Sequence, residues 1–219
     1  MPDHDLSGSS RAITAVYIQG PVTLAPLDPA WIQTPETVIT LSRRIHETGA
    51  KMVDMGNENR RIKVKVVHNG TDIFFFYQWD ESTPNVTVND YSLFADAFAM
   101  EIPLITEVSP IWMGAKDKPV NIIYWRADLA RPENIVGGGI GTTQISSDTE
   151  SQNIRHYQNW ANGVWTVIIT RPMTTASHNQ VSFVRSATYR LALANWKGGS
   201  DAERGGNKII SDWLYLFIK

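Results

Sequence analysis

Ile62, Val64 and Val66 alternate with Lys63 and Lys65, and a run from Ile73 to Trp79 that is apolar except at Gln78 follows the turn residues His68-Asn69-Gly70-Thr71. Alternation with period two marks a strand with one buried face, and a Gly-containing turn between two such runs makes a β-hairpin. The second run is apolar at successive positions, which predicts a strand covered on both faces. Further strands are predicted over 120–127, 164–171, 188–195 and 212–218, each bounded by Gly, Asn, Asp or Pro. Helical periodicity is scarce. Residues 90–100, "DYSLFADAFAM", with Asp90 as N-cap, fit either a short helix or an extended segment. Many short strands with Gly-rich connections predict an all-β fold, an antiparallel β-sandwich with short helices and long loops. Residues 1–12 read as a flexible N-terminus and 13–219 as a single domain, a length that all-β units commonly reach. The stretch 136–153, "VGGGIGTTQISSDTESQN", reads as a mobile loop. It lacks the Lys and the following helix that a phosphate-binding loop needs.

Charge and composition narrow the function. A formal net charge of −2 with scattered basic residues leaves no electrostatic footprint for nucleic acid or an anionic membrane. The longest apolar runs, "IFFFY" and "WLYLFI", are too short for a membrane span. With no Cys, disulfides, a thiol nucleophile, iron–sulfur ligation and covalent heme attachment through C-x-x-C-H are all excluded. Any metal or cofactor must be held by His, Met, Lys, Tyr or carboxylates. The five His show no ligand spacing, and no G-x-S-x-G elbow supports a Ser hydrolase. The N-terminus lacks the basic and apolar regions of a secretory signal, so the chain is expected to be cytoplasmic, already processed, or exported with a partner. Eight Trp in 219 residues admit three readings: core filling, a stacking platform for sugars, or an apolar slot for a flat macrocycle.

Four segments carry a family resemblance: "FADAFAMEIP", "WMGAKDKPVNIIYWRADL", "NGVWTVIITRPM" and "LALANWKGGSDAERGGNKIISDWLYLFI". Together they resemble the heme-binding γ subunit of ethylbenzene dehydrogenase-type enzymes, in the dimethyl sulfoxide reductase superfamily of molybdenum enzymes. Chlorate and selenate reductases and dimethyl sulfide dehydrogenase are of this kind. The most specific parts are M-G…P-V-N-x-x-Y-W and W-x-G-G-x-x-A-E-R-x-G…K, and the similarity runs from about residue 31 to the C-terminus.

The resemblance implies a β-sandwich, like a family 9 carbohydrate-binding module, with one non-covalent heme b between its sheets and axial Met and Lys ligands. A thioether favours Fe(II), and an amine ligates only when deprotonated. Carried onto this chain, the sulfur ligand falls on Met100 or, second, Met113, and the amine on Lys116 or Lys118. Trp125 belongs to a pocket wall. Arg126 stands where the family commonly has Lys; arginine stays protonated and is a poor iron ligand, but it can pair with a heme propionate. The implied role is electron relay between the iron–sulfur β subunit of a complex with a molybdopterin-containing α subunit and a soluble cytochrome, in the periplasm, with export beside a signal-bearing partner. The alternative function is a carbohydrate-binding module without cofactor; the third is a purely structural domain.

Overall fold

The computed structural model describes residues 11–45, 52–54, 59–88, 94–199 and 208–219. The chain opens with β1 (Ala12–Tyr17), a one-turn helix α1 (Pro29–Gln33), β2 (Thr37–Leu41), β3 (Arg43–Ile45) and β4 (Met52–Asp54). The predicted hairpin follows as β5 (Arg60–His68) and β6 (Asp72–Asp80), then β7 (Ala97–Pro103), β8 (Val120–Arg126), β9 (Glu133–Gly137) and β10 (Gln144–Ile145). The remainder forms β11 (Arg155–Ala161), β12 (Val164–Pro172), β13 (Thr188–Trp196), β14 (Lys208–Ile210) and β15 (Leu214–Ile218). The four other predicted strands are β8, β12, β13 and β15. Residues 90–93 of the ambiguous segment 90–100 lie outside the described residues, and its end opens β7, so the extended alternative holds there. The proposed flexible terminus lies outside the described residues up to position 10.

Eleven of the described strands follow one hydrogen-bonded path, β10-β9-β8-β7-β13-β15-β1-β5-β6-β12-β11, with β2, β3, β4 and β14 paired off it. β13 turns this path into two layers: Thr188–Leu191 pair with β15, whereas Ala192–Trp196 pair with β7. A strand that switches partners along its length makes the corner of a sandwich. The pairing is antiparallel, as expected, except at β1, which runs parallel to both β15 and β5.

Between the layers, alternate side chains from β5, β6 and β12 meet those from β7, β8 and β13 in one core that includes Val64, Tyr77, Val167, Phe98, Ile123 and Leu193. Large rings fill its middle. Trp125 lies 5.8 Å from Trp79 and 5.2 Å from Trp165, both edge-on, and Trp79 stacks on Phe98 at 5.5 Å. Among the described residues this packing leaves no slot for a macrocycle between the layers, so the expected site between the sheets is corrected.

The outer face of the first layer is also covered. Asp28 caps α1 by accepting from Ala30 N at 2.9 Å, and the helix sets Trp31 over Val67, Phe74, Phe76 and Ile168. This is why β6 reads as apolar on both faces.

Candidate functional site

The second layer has an outer face of its own, built from the opposite parity of the same strands. On β7 the core takes Phe98, Met100 and Ile102, which leaves Ala97, Ala99 and Glu101 facing outward. Register then places Ala192 against Glu101 and Ala194 against Ala99, with Tyr124 and Ile122 on the other side. Ala99, Ala192 and Ala194 form a low floor because their side chains end at Cβ. Over it, Ile111, Met113, Leu129 and Ile145 from the loops and β10 form the walls of a cavity of about 430 Å³, within the range of small-molecule and cofactor sites.

A thioether and an amine, both able to bind a transition metal, line this one cavity. Met113 sits in the turn between β7 and β8, at φ 71°, a left-handed conformation uncommon for a residue with a Cβ. Lys208 starts β14 directly opposite Trp196, and its Nζ lies 4.9 Å from the Trp196 ring centre. Tyr124 meets that ring edge-on at 5.7 Å.

Glu101 lies between them. It is 8% exposed, and burial pushes its carboxyl up to about 8, against the opposing pull of Lys208 and of the Met113 backbone N–H. Its Oε1 has no hydrogen-bond partner. The same burial draws the Lys208 ammonium toward the neutral amine, although Glu101 opposes this. Arg126 lines the rim, held through Nε and Nη2 by the Asp128 carboxylate, the latter at 3.0 Å.

Of the residues singled out in the sequence, Met113 and Arg126 meet at this cavity. Met100 does not: strand alternation turns it into the core, where its sulfur accepts from the Tyr77 hydroxyl at 3.4 Å. Trp125 has the same parity and donates to Gln158 Oε1 at 2.6 Å. Lys116 is exposed, and Lys118 pairs with Glu107 at 3.0 Å. Sequence reasoning missed Lys208, Glu101, Tyr124 and Trp196. Lys208 had a signal, since it is the terminal Lys of the W-x-G-G…K motif; Glu101 had one only in its parity opposite to Met100.

A family model described as ethylbenzene dehydrogenase matches residues 28–148 and 137–208, which include every residue lining the cavity but Ile210. The chain belongs to the ethylbenzene dehydrogenase family. It is 30% identical over 156 residues to a protein of Haloferax mediterranei provisionally named respiratory nitrate reductase heme subunit, covering 71% of this chain and 55% of that one. The chain thus spans about half the length of that relative. It is 23% identical to the chlorate reductase subunit gamma of Ideonella dechloratans, over 95% of this chain and 85% of the relative. In fold, this member of the ethylbenzene dehydrogenase family is similar to a family 9 carbohydrate-binding module from Caldicellulosiruptor kristjanssonii solved with glucose. That match has a TM-score of 0.55 over 95% of both chains at 8% identity, which speaks to the sandwich alone.

Proposed function

We propose that this chain is an electron-transfer subunit, not catalytic alone, that would hold one non-covalent heme b in the cavity on the outer face of the second layer, with the Met113 thioether and the Lys208 amine as the groups that would bind its iron. The observation that carries the reading is the convergence of a thioether and a buried amine on one alanine-floored cavity. When bound, the heme supplies a one-electron Fe(III)/Fe(II) couple.

The chain's own residues account for the rest. The Met113 sulfur is a soft donor that favours the reduced ion, and the Lys208 amine is drawn toward its ligating, deprotonated form by burial. Ala99, Ala192 and Ala194 leave the cavity room for a bulky cofactor, while Ile111, Ile122, Leu129 and Ile135 line it with apolar surface that would exclude water. Arg126 stands at the rim, where its guanidinium can pair with a propionate. With the iron held by both side chains, the site would serve electron relay rather than substrate binding. In this reading the donor or acceptor partners are an iron–sulfur β subunit beside a molybdopterin-containing α subunit and a soluble cytochrome, in the periplasm. Relatives named as a heme subunit and as a gamma subunit support it. A sugar-stacking role is not favoured, because every Trp is buried or half-buried.

Titration of the purified chain with hemin tests the proposal. One equivalent should produce a sharp low-spin Soret band, and acidic organic solvent should extract the pigment completely. Featureless uptake with no saturation would contradict it.

A further inference from the structure

The glycine-rich stretch after β9 is packed on Met113. A Cβ added at Gly137 would meet the Met113 carbonyl oxygen at 2.8 Å and the Met113 Cβ at 3.3 Å, so only glycine lets the end of β9 come this close. Two residues on, Gly139 N–H donates to the same carbonyl at 2.8 Å. Thr142 closes the stretch on itself: its hydroxyl accepts from Gly138 N at 3.0 Å and donates to Gly139 O at 2.8 Å. From the other side, Gly114 abuts the Gly137 carbonyl, where an added Cβ would lie at 3.2 Å, and its N–H donates to Pro110 O at 2.8 Å.

These contacts surround a backbone conformation that a free chain avoids. At φ 71° the Cβ of an L-residue crowds the following carbonyl, and such a geometry persists only where neighbours impose it. Rotating φ of Met113 back to the ordinary region would redirect Cα–Cβ, and with it the thioether.

We infer that Gly137 and Gly139 clamp Met113 in its left-handed conformation and so aim the thioether into the cavity, which makes Gly137 and Thr142 positioning residues for the sulfur ligand. This inference rests on the heme reading above. It assigns to the glycine stretch a role that its appearance as a plain loop conceals.

The test compares hemin-loaded wild type with Gly137→Ala, Thr142→Val, Gly138→Ala and Met113→Leu. Readouts are the near-infrared sulfur-to-iron charge-transfer band and the affinity for added imidazole, which competes for the sulfur's position. Gly137→Ala should weaken that band and bind imidazole about tenfold more tightly or better, a factor set by a modest loss of ligand preorganisation. Thr142→Val loosens the clamp without adding bulk against the turn; it should move the same way to a smaller extent, and it carries the test if Gly137→Ala does not fold. Gly138→Ala places its Cβ no closer than 3.5 Å to any neighbour and should match wild type. Wild-type spectra and imidazole affinity in Thr142→Val and in a folded Gly137→Ala overturn the clamp alone, as does an equal change in Gly138→Ala. An unchanged spectrum in Met113→Leu overturns the heme reading, and the clamp with it.

Discussion

Met100 and Glu101 are neighbours in the chain and occupy opposite sides of β7, one in the core and one on the cavity. Strand periodicity makes that opposition readable from sequence, but β7 is buried on both faces, so nothing in "AFAMEIP" says which parity meets the cavity. Lys208 was hidden for a related reason. Lysines are solvated by default, and only tertiary burial against Trp196 and Glu101 changes the character of this one. The residue-scale expectation is a sharp contrast among amines: Lys208→Ala should abolish the low-spin Soret spectrum, whereas Lys116→Ala and Lys118→Ala should leave it intact, as read by hemin titration. Met100→Leu conserves volume in the core and should cost less than about 1.5 kcal/mol in urea unfolding, with hemin affinity unchanged.

Among the elements, β6 was the most legible. Its apolar run from Ile73 to Tyr77 announced two covered faces, and the structure supplies the cover as Trp31 from α1 over Phe74 and Phe76. The identity of that cover was not readable, because a five-residue helix leaves almost no periodic signal. Trp31→Ala should therefore uncover the outer face of the first layer and cost about 3–5 kcal/mol in urea unfolding of the heme-free chain. The glycine stretch was read as a mobile loop since glycine marks flexibility and close packing alike; only the approach to Met113 tells them apart. Gly198 makes the same point more severely. A Cβ there would lie 2.3 Å from the Phe94 carbonyl oxygen, and its N–H serves Asp96 at 2.7 Å. Gly198→Ala should lower the melting temperature markedly even though the site is far in sequence from the Met113 turn.

At the scale of the whole molecule, the all-β class followed from strand patterning, but the placement of the cavity outside the sandwich did not. It depends on β13 switching partners between layers and on where Ala192 and Ala194 fall after that switch. The molecule also carries a pH dependence in its first layer. His68 is fully buried, with Nε2 2.7 Å from the Lys219 carbonyl and Nδ1 unpartnered. Burial, with Arg185 nearby, depresses its pKa below the usual value. The unfolded chain therefore takes up this proton more readily than the folded one, so stability is fully present above about pH 6.5 and is lost as pH falls toward the folded pKa. Urea unfolding of the heme-free chain at about pH 7.5 and about pH 5.5 should show this loss, and His68→Gln should reduce the difference. The central claim, that one heme b is held by Met113 and Lys208 over the alanine floor, is tested most directly by near-infrared magnetic circular dichroism of the ferric, hemin-loaded chain. The account predicts a sulfur-to-iron charge-transfer band that survives in Met100→Leu and vanishes in Met113→Leu; a band that survives in Met113→Leu and vanishes in Met100→Leu would contradict it.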